Sequence, residues 1–439
     1  MRSVRRVARA FSPLDEELQL WPGDCAPSLA EGATRLGTWV PFERLPDLLA
    51  LFTGTRLSAS TIQRITEEAG VAAVAVQTVA VERLERHLPA PPTGPAVLQV
   101  SVDGAMVPLR GKGEWAEVKT LALGEVQPPV VNRDGEREVP VTALSYFSRL
   151  ADAETFGRLA TVETHRRGVE TAGTVCGVVD GAEWCQGFLD LHRPDAVRIL
   201  DFPHAAEYLT PVAQAGFGAD PAAATAWLAA RCHALKHEPD GATRVLAAVR
   251  AVRTCVASRG EAAALATVET SLAYLEKRQA QLAYATFQAQ GYPIGSGIVE
   301  SANKTVVEAR LKGAGMHWAR DHVNPLLALR TIACSDRWDE AWPQIVQQVR
   351  AEHRATAAQR RAQRTTRRTV LLTPVAVAPA VDPVTVDPTQ AAPTAPPATG
   401  AMAGTADTAV TPPAARAPWR PPANHPWRRP FARPTSDAA

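Results

Sequence analysis

Between residues 40 and 88 the apolar positions recur at helical spacing. FERLPDLLALFTG carries one apolar stripe, Gly54 breaks it, and LSASTIQRITEEAG begins a second, with Leu57, Ile62 and Ile65 on an inner face. Ser60 with Gln63 three residues on forms a capping-box start. Two short helices about a Gly-containing turn suit a helix-turn-helix, and equally the more common helical hairpin. Pro91, Pro92, Gly94 and Pro95 then mark a linker.

From Val97 the pattern changes to β-branched and alternating. Val97 to Leu109, Glu114 to Val126 and Glu138 to Ser148 predict three strands of an antiparallel meander. A helical stretch, ADAETFGRLATVETHRRGVETAG, follows, and then Thr174 to Val179 and Ala196 to Leu200 read as buried strands with a helix between them. This order is that of an RNase H-like α/β core with a mixed sheet, its first strand central. Asp103 then ends the first strand and Asp180 the next parallel one, so two carboxylates stand at neighbouring strand ends.

Residues 205 to 285 are almost all helix formers and predict an all-α insertion in that core. After it, Pro293 and the glycines of IGSGIVES set a turn, and Ile298 to Leu311 opens a helix with Glu300 near its start. A carboxylate there also suits the helix dipole on its own account. The expected organisation is a helical N-terminal region over 1–90, a core over 97–204 and 291–345, an insertion over 205–290, a basic helix over 346–370 and a tail over 371–439.

Composition changes this picture at the ends. The chain of 439 residues is 46% hydrophobic with a formal net charge of only +2, so bulk charge does not announce a polyanion partner. Arginines gather locally instead: Arg2, Arg5, Arg6 and Arg9 at the start, and Arg350, Arg354, Arg360, Arg361, Arg364, Arg367 and Arg368 after the last apolar segment. Such clusters suit DNA or a solvated basic helix. Residues 371–439 hold 15 of the 36 prolines, a composition that cannot bury a core and predicts a disordered tail. Its end interleaves Trp419, Trp427 and Phe431 with arginines, which suits non-specific nucleic-acid contact or a plain linker. The six cysteines show no CxxC pair and read as reduced thiols. No stretch is apolar over the roughly 18 residues of a membrane span, so a cytoplasmic, nucleoid-associated protein is expected.

The chemistry rests on three carboxylates in separate segments: Asp103 in VLQVSVDGAMV, Asp180 in TVCGVVDGAEW and Glu300 in GYPIGSGIVESANK. Hard oxygen ligands of this kind hold paired Mg²⁺ ions about 3.5–4 Å apart in phosphoryl transfer, with Mn²⁺ as a substitute.

The segments SVDGAMVPLRGKGEWAEVK, VVDGAEWCQGFLDLHRPDAVRILDFPHAAEYL and YPIGSGIVESANKTVVEARLKGAGMHWARDHVNPLLALRTIACSDRWDEAW resemble the DDE transposases of bacterial insertion sequences, in the ISKra and ISLre-like group related to Mutator-type transposases. The resemblance covers roughly residues 40 to 345. It implies an RNase H-like fold with a helical insertion, and Asp103, Asp180 and Glu300 as catalytic triad and metal ligands. Members carry a Cys or Asp followed by a His after the strand beyond the second Asp. Here that is Asp201 and His204, the first also a natural cap for the helix at Pro203 and the second a phosphate contact or proton relay.

The resemblance further implies double-stranded DNA as partner, both the element's terminal repeats and the target, with a homo-oligomer pairing two ends. Arg310, Lys312 and Arg320 become candidates for holding the DNA backbone, and Trp318 for stacking on an unpaired base or for the core. The chain departs from the family in having Cys25 alone where many members begin with a CxxC pair. It also has Glu308 before the RLKG string, about 80° round the helix from Glu300. A DNA-binding remnant without turnover, and an RNase H-like nuclease without strand transfer, are the alternatives.

Overall fold

Alternation along the chain from Val97 sends Leu98, Val100 and Val102 to one side of a strand, and Gln99, Ser101 and Asp103 to the other. In the computed structural model that strand is β1 (Val97–Pro108), the middle of a five-stranded mixed sheet. The structure describes residues 20–372, apart from 22–24, 132, 134 and 136, with side chains up to residue 363. The other strands are β2 (Trp115–Val126), β3 (Val141–Arg149), β4 (Thr174–Val179) and β5 (Val197–Leu200), in the order β3-β2-β1-β4-β5. β1, β2 and β3 run antiparallel to one another, whereas β4 pairs parallel with β1 and β5 parallel with β4.

The expected strand order and the central first strand are therefore observed. Between β2 and β3, a two-residue ladder joins Val130–Val131 to Arg137–Glu138.

One face of the sheet is covered by α4 (Ala153–Arg166) and α5 (Glu183–His192), where Leu98, Val100 and Val102 pack with Phe156, Ala160, Phe188 and Leu189. Val175 and Val179 of β4 join this core, while Cys176 and Val178 of the same strand face the opposite one. A strand buried on both faces reads as the unbroken apolar run TVCGVV. The second core is closed by the helices of the expected insertion: α6 (Phe202–Phe217), α7 (Pro221–His237), α8 (Gly241–Ser258), α9 (Ala262–Lys277) and α10 (Tyr284–Ala289).

The N-terminal region contains α1 (Pro27–Trp39), α2 (Leu45–Thr53) and α3 (Ala59–Arg86). Gly54 ends α2 at φ 70°, as expected of a C-terminal glycine. The next helix is not short: α3 runs for 28 residues, and its cap is Ser58, whose hydroxyl accepts the Thr61 N–H at 3.1 Å, not Ser60. The serine two residues earlier wins because Ser60 already lies inside the first turn. Ile65, Ala69 and Ala72 of α3 pack with Ala30 of α1, with Leu329 of α12 (Arg320–Cys334) and with Trp338 and Trp342 of α13 (Trp338–Leu372).

At Gly70 a Cβ would stand 2.6 Å from the Pro325 carbonyl, so only glycine admits α12 this closely. The basic segment expected over 346–370 is the outer part of α13, whose first turns are core through Trp338, Trp342, Ile345 and Val349. The Arg2–Arg9 cluster and the proline-rich tail from residue 373 lie outside the described residues. All six cysteines are free. Among the described residues no helix is long and apolar enough to cross a membrane.

Candidate active site

Asp103 does not end the first strand as expected: it lies within β1, on the face that carries Gln99 and Ser101, opposite Thr120 of β2, because the ladder with β2 continues as far as Pro108. One carboxylate oxygen accepts the Gly104 N–H at 2.7 Å, and the other accepts the Asn303 side-chain amide at 2.8 Å. Asn303 opens the segment that follows α11 (Gly297–Ala302), the short helix bearing Glu300. That segment is a π-helical turn, Asn303–Glu308, succeeded by Ala309–Leu311. π-Turns are rare and recur at functional sites, because the wider turn re-aims side chains within a helix. Asn303 is buried and its Oδ1 has no partner.

Asp180 follows the last residue of β4. Its Oδ1 accepts the Ala182 N–H at 2.9 Å and the Cys185 thiol at 3.3 Å. Its backbone carbonyl is taken by the Tyr274 hydroxyl of α9. Burial, with the Asp180 charge behind it, pushes the Cys185 thiol far above the ordinary range, so it stays a neutral donor.

Glu300 is oriented by the turn before it. Gln99 Nε2 donates to the Gly295 carbonyl at 3.0 Å, the Phe202 N–H to the Ile294 carbonyl at 3.0 Å, and the Ser296 N–H to Asp201 Oδ1 at 2.7 Å. Val299 and Ala302 pack beside Ala122 of β2, which leaves Glu300 half-buried. Asp201 is buried, and its other oxygen accepts the His204 N–H at 3.0 Å, capping α6. It is thus both the expected helix cap and a brace for the turn before Glu300.

Electrostatics link Asp103 to the other two carboxylates. Burial, followed by the charges of Asp180 and Glu300, pushes Asp103 up to about 6, against the Gly104 and Asn303 hydrogen bonds that lower it. Glu300 is also raised, by burial and then by the Asp201 charge, with Lys304 opposing. Burial alone would lower His204, but Glu207, 3.5 Å from its Nδ1, together with Asp180 and Asp201 holds it above its ordinary value. An excess of negative charge held partly out of water is the donor chemistry that suits a divalent cation. Among the described residues, however, no group of three or more His, Cys, Asp or Glu side chains closes tightly enough to hold one ion. Both Asp103 oxygens and Asp180 Oδ1 are instead engaged in the local bonds to Gly104, Asn303, Ala182 and Cys185.

The expected DNA-contacting residues divide. Arg310 is buried at 2% exposure, its guanidinium 4.8 Å over Phe42 and 5.2 Å over Trp318, with Nε donating to the Gly37 carbonyl at 3.2 Å. This is a correction: Arg310 presents nothing to a phosphate, because the N-terminal helices cover it. Trp318 belongs to the packing, its indole N–H donating to the Leu311 carbonyl at 3.1 Å. Lys312 is held by Glu308 at 2.5 Å, so Glu308 is committed to its own helix. Arg320 is exposed, 4.0 Å from Glu114.

Sequence reasoning missed Asn303, Tyr274 and Arg278. Asn303, three residues after Glu300, was legible as a same-face neighbour, while Tyr274 and Arg278 carried only the weaker sign of an aromatic–cation pair four apart. The chain matches no protein-family model, and no curated protein matches it.

Proposed function

We propose that this chain is a DDE transposase with an RNase H-like core, cutting and joining DNA at the ends of an insertion sequence. The observation that carries the reading is the buried Asp103 on the central strand, its carboxyl raised to about 6 by burial and, behind that, by the charges of Asp180 and Glu300 from distant segments. The sheet order with β1 central supports it, since Asp103 lies on β1 and Asp180 just past the end of the adjacent parallel strand β4.

Asp103, Asp180 and Glu300 do not close around one ion in this structure; they are the residues that would turn inward to hold Mg²⁺, or Mn²⁺ in its place, which when bound would supply Lewis-acid activation of the attacking and leaving oxygens of a phosphodiester. The reaction begins with water: its oxygen bonds to phosphorus as the P–O3′ bond breaks, leaving a 3′ hydroxyl on the element and a 5′ phosphate on the flank. That hydroxyl then bonds to a target phosphorus as a target P–O3′ bond breaks. No covalent enzyme intermediate is needed, so no Ser or Tyr nucleophile is required. His204, held above its ordinary value by Glu207, Asp180 and Asp201, would hand a proton to a leaving oxygen or contact a phosphate. Asp201 holds the turn before Glu300, and Arg320 and Lys312 would hold the DNA backbone.

The test is nicking of labelled DNA carrying the gene's own flanking sequence, with wild type beside Asp103→Asn, Asp180→Asn and Glu300→Gln. Metal-dependent cleavage at the element boundary, abolished by each change, is the expected result. Hydrolysis without joining to a target would make the protein a nuclease, and binding of the ends without cleavage a remnant.

A further inference from the structure

We infer that Tyr274 and Arg278, in and just after the last turn of α9, are positioning residues for Asp180, so that the helical insertion holds the turn on which the second carboxylate stands. The inference rests on the reading of Asp180 as a metal-holding carboxylate.

Two adjacent backbone carbonyls follow β4, and both are taken from α9. The Tyr274 hydroxyl donates to the Asp180 carbonyl, and Arg278 donates to the Gly181 carbonyl through Nε at 3.0 Å and through Nη2. Gly181 has φ 81°, and a Cβ there would lie 2.5 Å from Arg278 Nε and 2.6 Å from the Tyr274 hydroxyl. The turn thus has a left-handed shape that leaves room only for these two side chains. Ala182, next along, donates its N–H to Asp180 Oδ1, so the direction of the carboxylate depends on the path of the turn.

Both positioning groups are fixed in turn. The Arg278 guanidinium lies 3.9 Å from the Tyr274 ring centre, and the Tyr208 ring stacks on Tyr274 at 3.6 Å with 6° between planes. Two partners at stacking distance must occupy opposite faces, so Tyr274 is clasped on both sides. Arg278 is 7% exposed, and Lys277 ties α9 to Glu183 of α5 at 2.6 Å. Burial raises the Tyr274 hydroxyl well above its ordinary range, which keeps the proton it donates. Outer partners that fix a ligand's orientation change metal affinity on the order of 10–100-fold when removed.

The experiment uses the full chain without DNA. Mn²⁺ binding is titrated by electron paramagnetic resonance, and hydrogen exchange at the Ala182 amide is followed, in wild type, Tyr274→Phe, Arg278→Lys and Asp180→Asn. Tyr274→Phe keeps both stacks and removes one hydroxyl, and Arg278→Lys serves if that variant fails to fold. The expected result is faster Ala182 exchange and Mn²⁺ affinity lower on the order of tenfold, with the thermal midpoint little changed. Folded variants that bind Mn²⁺ as wild type does would overturn the inference. Should Asp180→Asn itself bind Mn²⁺ like wild type, the metal-site reading fails separately; unchanged Ala182 exchange then overturns the positioning role, and faster exchange sustains it.

Discussion

Asp201 and Ser296 are joined across 95 residues of chain by a buried hydrogen bond of 2.7 Å, from the Ser296 N–H to Asp201 Oδ1. The other Asp201 oxygen caps α6 through the His204 N–H at 3.0 Å. One carboxylate thus fixes both the entry to the helical insertion and the turn by which the chain returns to the sheet. Burial raises its pKa, against the hydrogen bonds from Ser296 and His204 that hold it down.

Asp201→Ala should therefore do more than remove a helix cap. Losing the cap costs about 0.5–2 kcal/mol, and the unsatisfied Ser296 N–H adds about 1–3 kcal/mol. Asp201→Asn, which keeps one acceptor oxygen, should fall between. Urea unfolding at constant slope reads this directly, and cleavage should drop with Asp201→Ala through loss of the turn that carries Glu300.

Asp103 makes a prediction about pH. Its carboxyl is raised from 3.8 to about 6 in the folded protein, so the ionised form is disfavoured by folding. The resulting cost is fully present above about pH 6 and disappears as pH falls from there towards 3.8, where the folded state takes up the proton first. At pH 7.5 Asp103→Asn should stabilise the metal-free protein by up to roughly 3 kcal/mol, the equivalent of the displacement, and near pH 4 by little. Mg²⁺ should stabilise wild type at pH 7.5 and leave this variant unmoved, as thermal melts at both pH values would show.

Two buried arginines differ in how well they are matched. Arg330, 1% exposed, donates to the Thr38 carbonyl at 2.7 Å, to Val306 at 2.5 Å and to Thr305, joining the end of α1 to the π-helical turn. Arg310 makes one such bond, has an unpartnered Nη2, and is lowered to about 10 by burial and by the Arg330 charge. Arg330→Met should cost about 3 kcal/mol or more, because several carbonyls lose their donor. Arg310→Met should cost about 1 kcal/mol, since it also removes an unmatched charge beside Arg330. Denaturation of the two variants side by side tests the ranking.

Surface charge predicts the DNA behaviour. Arg320 is exposed, and Arg320→Ala should weaken DNA binding and reduce the slope of log affinity against log salt by about 1. Glu308→Gln frees Lys312 from its 2.5 Å ion pair and should leave metal-dependent nicking intact. Glu300→Gln should abolish it. Loss of nicking in Glu308→Gln alone would move the third carboxylate to that position.

The sheet was legible because its signal is local. Alternation in VLQVSV, the unbroken run TVCGVV and the turn residues between strands fix both the strands and their order. What was not legible depended on partners far along the chain. Arg310 lies in a basic string, ARLKG, that reads as solvent-facing, and it is covered by Trp318 and by Phe42 and Gly37 from some 270 residues earlier. Ser58 and Ser60 both fit a cap rule, and the choice between them turned on one bend of backbone. The π-helical turn leaves no mark in composition, since NKTVVE reads like an ordinary helical stretch whose Val306 and Val307 pack under β1. Asp180 and Glu300 were readable as carboxylates at element ends, whereas Asp103 lies inside a strand that runs on to Pro108; the bonds that occupy the Asp103 oxygens and Asp180 Oδ1 were not readable.

The helical block between β5 and α11 also sets a timetable. Asp103 leaves the ribosome nearly 200 residues before Glu300, and at roughly 5–20 residues per second the interval is about 10–40 s. During it β1, β2 and β3 can pair, but Asp103 has neither Asn303 nor Glu300 beside it. On the proposed reading, a growing chain of this architecture therefore carries only part of its carboxylate set, and would stay chemically incomplete until most of it has been made.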